Sequence, residues 1–398
     1  MSRRSLVAAL VVIAAACSRQ GASVRGVTPA TRPSASTTAV KSTPVSRAGL
    51  DAIASRYRAA CKSPGAGVGL RTGDGATDYA LSGRLAPGVA LGVDSQFLAG
   101  SVTKLFVAVV AYQLIAAHEL SLDDTVDRYV PRWPNGNRIT IAMLLGHRSG
   151  MGDFGNDFGK QLQALVLSDL KRDFTYGEVL GLVRAVPPVA PPGATYHYSN
   201  ANYIVLGAIL QRLTHESLGR LFDARVIKPL RLTRTLYGPD DLTAANRIVF
   251  HGLFDVGGTG TPVDIGGFPR NAALTVDPAG AGLFSSLPDL LTVTHALFAT
   301  DDVLAPAQRS GLDRAVSTLS AKDLLLGDSF VIHGHGGASP GAQTIVAHDR
   351  AHDVTVAVWC NRLDPGEYEL LPSVIAAKET FELAARATRH RPWTASVP

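Results

Sequence analysis

The sequence predicts an α/β fold of the α+β kind: a five-stranded antiparallel sheet assembled from both chain ends, flanked by helices, with a mainly helical subdomain inserted between the two groups of strands. Three observations predict it. Strand-like segments occur near residues 65–81 and again at 329–359; the stretch between them has helical spacing of apolar residues; and Leu105 to Ile115 is apolar on every side, as an interior helix must be. With 398 residues, 46% of them hydrophobic, the chain can bury one large core or two entwined ones.

Taken in order, Arg3 and Arg4 precede an apolar stretch, Leu6 to Ala16, that is too short to span a bilayer, so residues 1–16 read as a signal peptide. Ile13-Ala14-Ala15-Ala16-Cys17 places small residues before a cysteine that can take up lipid once it is the new N-terminus. Ala14 stands where such sites usually carry Leu or Val, and ordinary secretion after an A-x-A site is the alternative. The expected location is therefore the outer side of the cell membrane through lipid on Cys17, or the exterior. Residues 17–46 are rich in Ser, Thr, Ala and Pro and form an expected tether, residues 47–386 the folded domain and residues 387–398 a tail.

Within the domain, Ala48 to Ala60 has helical spacing, and Gly65 to Arg71 with Thr77 to Leu81 reads as a hairpin. Helices are expected at Leu105 to Ile115, Ile139 to Leu145, Glu178 to Val186 and Tyr203 to Leu213, within a helical subdomain of about 105–325. Ser329 to His333, Gln343 to His348 and Val354 to Trp359 read as successive strands, and Leu371 to Ala385 as a last amphipathic helix.

The formal net charge of +5 falls to +3 (5 − 2) once Arg3 and Arg4 are removed, and the basic residues are scattered. That distribution excludes a nucleic-acid binder. There is no zinc-type Cys/His spacing. His333 and His335 share a strand face, but spacing offers no third ligand, so no metal and no cofactor is implied.

Ser101-Val102-Thr103-Lys104 stands just before the interior helix. Positions i and i+3 share a helix face, so the Lys104 amine lies beside the Ser101 hydroxyl, and a serine at a helix N-terminus feels the positive end of the dipole. The same spacing in Ser168-Asp169-Leu170-Lys171 lies among charged residues and reads as a solvated helix surface; taken alone, Ser101 reads first as a helix cap. Tyr198-Ser199-Asn200 is the single Tyr-x-Asn of the chain. Tyr198 near a lysine can relay a proton, and Asn200 can orient a substrate carbonyl and anchor the lysine; the bland alternative is a helix-start turn. His335-Gly336-Gly337 stands at the end of a predicted strand, where glycines let a substrate backbone approach the strand edge and the imidazole offers a polar contact.

These elements, in this order, resemble the serine β-lactamase and penicillin-binding-protein superfamily: S-x-x-K, then Y-x-N, then H-x-G in the place of K-T-G. Leu144-Leu145-Gly146-His147-Arg148-Ser149-Gly150, Pro192-Gly193 through Leu206-Gly207, Lys228-Pro229-Leu230 with Thr235, and Ala281-Gly282-Leu283 with Ser285, Ser286 and Asp289 are similar to further landmarks of that superfamily. The likeness runs from about Leu50 to Ala385. It implies a β-lactamase/transpeptidase-like fold with Ser101 as acylated nucleophile, Lys104 as base, Tyr198 as proton shuttle and Asn200, His335, Gly336 and Gly337 at the substrate. The backbone amides of Ser101 and Ala338 form the implied oxyanion hole.

His335 departs from the lysine of typical β-lactamases. A neutral histidine does not hold a carboxylate as a permanent cation does, which puts β-lactam turnover in doubt. The resemblance further implies that the first strand pairs with the last, bringing Cys61 and Cys360 together as a disulfide rather than as two buried thiols. The expected function is a cell-envelope serine hydrolase acting on a small-molecule or peptide ester or amide, carboxypeptidase-like or esterase-like; the competing readings are a turnover-deficient binding or regulatory protein and a true β-lactamase.

Overall fold

The computed structural model of the protein describes residues 45–153, 159–255, 260–315, 332–363 and 370–387. The expected signal peptide, all but the last two residues of the expected tether, and residues 388–398 lie outside them.

Helix α1, Arg47–Ala60, begins at Ser46, whose side chain accepts from the Gly49 amide. Strands β1 (Gly65–Arg71) and β2 (Thr77–Gly83) form the expected hairpin, closed by Thr72 to Ala76. After the two-residue strand β3 (Phe97–Leu98), a 3-10 turn at Gly100–Val102 runs straight into helix α2, Thr103–Ala116. The α2 residues Leu105 to Ala111 are all buried, so the helix is surrounded by protein on every side. Each of its large apolar side chains contributes about 1.5–3 kcal/mol by leaving water, and one charge at Val109, which is fully buried, would break the packing.

Helices α3 (Ile141–Leu145), α4 (Tyr176–Ala185) and α5 (Asn200–Thr214) follow, matching the expected segments to within a few residues. Thr175 and Glu178 start α4 with a reciprocal capping box. Short strands β4 (Leu236–Tyr237), β5 (Leu253–Phe254), β6 (Val263–Asp264) and β7 (Leu283–Ser285) were not expected, because segments of two or three residues carry no readable period. They form two small sheets, ordered β3-β7-β4 and β5-β6. Helix α6, Leu287–Phe298, packs across the large sheet. The second Ser-x-x-Lys is no continuous helix surface: the helix Gly159–Ser168 stops at its serine, and the Lys171 amide donates to Asp169 in a turn.

Strands β8 (Ile332–Ser339), β9 (Ala342–Asp349) and β10 (Val354–Cys360), then helix α7 (Leu371–Ala387), complete the domain. Residues 329–331 of the expected strand lie outside the described residues. The strand does not end at the His335 motif but continues through its glycines to Ser339, since β9 pairs with all of it, from Ile332 opposite Asp349 to Ser339 opposite Ala342. The sheet is antiparallel with order β2-β1-β10-β9-β8, so the two chain ends supply it as the sequence predicts.

Alternation sorts the sheet into two faces. Val68, Leu70, Val356 and Val358 pack with Leu50, Ile53 and Tyr57 of α1 and Phe381 of α7. Val346, Ala357 and Trp359 join the larger core around α2. Ala66 lies opposite Cys360, and the disulfide Cys61–Cys360 closes this end of the sheet with a Cα separation of 6.7 Å. No helix among the described residues is long and apolar enough to cross a membrane.

Candidate active site

Ser101 occupies the 3-10 turn ahead of α2 rather than a cap position, and its hydroxyl is not spent on helix amides. Instead Ser101 Oγ accepts from Lys104 Nζ at 3.0 Å and from Tyr198 Oη at 2.9 Å. Lys104 is fully buried, one helical turn on, so its amine is fixed by the packing of α2. Its other two donors go to Asn200 Oδ1 at 2.7 Å and the Gly280 carbonyl at 3.0 Å, which gives each of the three N–H bonds an acceptor.

The Tyr198-Ser199-Asn200 segment divides its labour. Ser199 is the N-cap of α5, accepting from the Ala201 amide, as the bland reading of the motif expects. That leaves the flanking side chains to reach Ser101 and Lys104. Behind them stands the chain just after His147: Ser199 Oγ donates to the Gly152 carbonyl at 2.9 Å, and the Asn200 amide donates to the buried carboxylate of Asp153 at 2.9 Å. Neither Asp153 nor the Gly280 carbonyl was anticipated, since a backbone acceptor carries no residue signature and Asp153 belongs to no recognisable spacing.

The edge strand β8 runs beside the Ser101 turn. A Cβ on Gly337 would lie 2.0 Å from the Ala99 carbonyl oxygen, and one on Gly100, whose φ is +55°, would lie 2.7 Å from the Ala338 nitrogen and 2.9 Å from its oxygen. Strand and turn thus meet backbone to backbone, and the Ala338 amide and carbonyl point toward the turn. The space beside Gly336 is taken by the Leu370 side chain, 2.7 Å from where a Cβ would stand. Both glycines therefore have a packing reason inside the protein itself, beyond any clearance for substrate.

His335 lies near Tyr198, with ring centroids 6.4 Å apart, but not as an open imidazole: it is 2% exposed. Its Nδ1 donates to the Gly336 carbonyl at 2.5 Å and its Nε2 is buried without a protein partner. Burial above all, then the charge of Lys104, pushes this histidine down to about 3, so it is neutral at neutral pH. His333 is turned to Asp313, 3.3 Å away, and stacks on Phe298. Among the described residues no group of three or more His, Cys, Asp or Glu side chains is placed to hold a metal. Ser101, Lys104, Tyr198, Asn200, His335, Gly336, Gly337 and Ala338 thus share one locality, whereas Cys61 and Cys360 lie at the sheet end and Cys17 lies outside the described residues.

Comparison with known proteins agrees with this fold. The family model described as Beta-lactamase matches residues 50–378. Penicillin-binding protein 4 of Amycolatopsis lactamdurans is 29% identical over 239 residues, 58% of each chain. Esterase EstB of Burkholderia gladioli is 37% identical over 146 residues, 34% of this chain and 37% of the esterase. The chain therefore spans about a third to three-fifths of the length of these curated relatives. Among solved structures, a D-stereospecific amidohydrolase from Streptomyces sp. superposes with a TM-score of 0.69 at 21% identity, covering 83% of this chain and 98% of that one, a likeness of fold.

Proposed function

The chain belongs to the beta-lactamase family, and on that premise we propose that it is a serine hydrolase working through an acyl-enzyme on Ser101, with an ester or amide as substrate. The observation that carries this reading is the double contact of Ser101 Oγ with Lys104 Nζ and Tyr198 Oη, made by a lysine that is itself fully buried. A helix cap needs neither partner.

In the proposed cycle the Lys104–Tyr198 pair reacts one proton short of the ammonium–phenol form, so that as Oγ attacks the carbonyl carbon the Ser101 proton passes to that pair. The carbonyl electrons move onto oxygen, between the amides of Ser101 and Ala338. Collapse expels the alcohol or amine, which takes that proton through Tyr198 Oη. Water then attacks the acyl carbon, gives a proton to the same pair, and Ser101 recovers it as the acid leaves. Asn200 holds Lys104 and orients the substrate.

Neutral His335 favours substrates without a carboxylate at that end, since it offers no charge to repay the carboxylate's desolvation. We therefore place the activity with esterases and amidases. Export and a lipid anchor at Cys17 complete the proposal; incorporation of labelled palmitate that survives Cys17→Ser would remove the anchor. The main test is to treat the protein with a fluorescent phosphonate and a fluorescent penicillin and locate the label by mass spectrometry. Phosphonate on Ser101 with little penicillin is expected. Label on another residue, or hydrolysis undiminished by Ser101→Ala, overturns the mechanism, and rapid penicillin turnover overturns the substrate assignment.

A further inference from the structure

We propose that His147 is the positioning residue of Tyr198: it brackets the backbone on either side of the tyrosine and stacks on its ring, and so keeps the phenol on Ser101. This rests on the reading of Ser101 and Tyr198 given above and adds to it a residue that acts through Tyr198, since the Ser101 hydroxyl bonds to Lys104 and Tyr198 and His147 bonds to the chain around Tyr198.

Tyr198 needs such a device. It precedes the N-cap of α5, in a stretch without regular structure, so no ladder of helix or sheet bonds fixes it. Three contacts with His147 supply what is missing. The His147 carbonyl accepts from the His197 amide at 2.9 Å, and His147 Nδ1 accepts from the Ser199 amide at 3.2 Å, so one residue holds both neighbours of Tyr198. The imidazole lies on the phenol ring with centroids 4.4 Å apart and planes 26° from parallel.

The protonation of the ring follows from its partners. Nδ1 faces two N–H donors, the Ser199 amide and Asn202 Nδ2 at 3.3 Å, so it carries no proton and the hydrogen sits on Nε2. Burial, and next the charge of Lys104, holds the imidazole well below its ordinary range and keeps it neutral. The left-handed backbone at His147, φ +52°, lets one residue turn its own carbonyl and its ring to the same tripeptide. Histidine and asparagine tolerate that conformation better than most side chains.

Displacement of a reacting group by about 1 Å costs up to about 10²-fold in rate. His147→Ala is therefore expected to lower kcat by about 10²-fold with KM changed less than about three-fold, and His147→Asn, which keeps an acceptor and tolerates the backbone, to recover most of the loss. In a Tyr198→Phe background His147→Ala should cost nothing further in kcat, because both substitutions remove one function. A residue that merely supports the fold would give independent, additive losses, and that result would overturn the proposal.

A second readout needs no activity. In protein labelled with 13C at tyrosine Cζ, the Tyr198 signal, assigned by its loss in Tyr198→Phe, should move in His147→Ala and return toward its place in His147→Asn. A signal that stays put in folded His147→Ala overturns the proposal. A signal that moves in a protein whose Ser101 takes no phosphonate supports the placement of Tyr198 by His147, while the hydrolase reading fails.

Discussion

Replacing Gly337 by alanine puts one methyl group where strand β8 touches the turn that carries Ser101. The ideal Cβ stands 2.0 Å from the Ala99 carbonyl oxygen and 3.4 Å from the Ser101 nitrogen. Carbon and carbonyl oxygen settle at about 3.3–3.6 Å, so strand and turn must separate by about 1.3 Å or more. The obstacle is backbone on both sides, which cannot rotate away. In the proposed oxyanion hole the amides of Ser101 and Ala338 serve one oxygen only while strand and turn are in contact, and such a hole works with donors about 2.7–3.1 Å from the oxygen. Losing one such donor costs about 10²–10³ in kcat, or about 2.7–4 kcal/mol, and that is the expected effect of Gly337→Ala. Overpacking should also cost about 1–3 kcal/mol of stability. The control is Gly336→Ala, whose Cβ crowds the tip of Leu370 at 2.7 Å and otherwise makes an ordinary 4.0 Å contact with the Thr344 carbonyl oxygen. A leucine tip can turn aside, so the expected loss there is under about ten-fold. Both variants are compared by steady-state hydrolysis of a nitrophenyl ester, with folding checked by circular dichroism and thermal melting. A folded Gly337→Ala enzyme within about three-fold of the parent kcat would refute the reasoning, and so would equal damage from the two substitutions.

Tyr198→Phe keeps the ring on His147 but removes the hydroxyl from Ser101, and is expected to lower kcat by about 10²–10⁴ with little change in KM; a kcat equal to the parent's in steady-state kinetics would exclude Tyr198 as proton carrier. Burial drives His348 and His335 down to about 3 in the folded chain, against about 6.5 when unfolded. The unfolded state therefore takes up protons first, and stability falls as pH drops through the window from about 6.5 to 3, by about 2 kcal/mol per histidine between pH 7 and 5. Urea titrations of His348→Gln should show a pH dependence flatter by about that amount; parallel curves would count against it. Joint replacement of Cys61 and Cys360, which are 299 residues apart, by alanine should lower the unfolding free energy by about 2–5 kcal/mol, and an unchanged urea midpoint would show that the disulfide does not stabilise the fold.

The large sheet and the central helix were legible because long apolar periods and alternations leave a mark in the residues themselves. Leu105 to Ala111 reads as interior because every side of it is apolar, and all of it is buried. The order of Ser101, Lys104, Tyr198 and Asn200 along the chain was likewise enough to group them, through the family resemblance that also implied the disulfide. Other features were not readable. Strand β8 passes through three glycines because β9 pairs with it and the turn closes on it, and neither cause lies within those residues. The fate of His335 was hidden for a related reason: exposure is a property of the neighbours, and only the packed strand shows that its ring is covered.

The position of β8 at the sheet edge bears directly on the chemistry. Its other side is paired to β9 along its whole described length, so only the open edge has backbone amides free to meet a substrate. An interior strand would have had its Ala338 amide engaged by a neighbour. An open edge is ordinarily a hazard, because a second chain can add to it. Here the Gly100 turn covers it at Gly337 and Ala338, at backbone distance, and the same contact brings Gly337 close to the Ser101 nitrogen. One close approach thus covers the edge and, in the proposed oxyanion hole, sets the spacing of the two donors. Substitutions that loosen it should therefore reduce turnover and increase self-association together, whereas substitutions at Lys104 or Tyr198, which leave the approach intact, should reduce turnover alone.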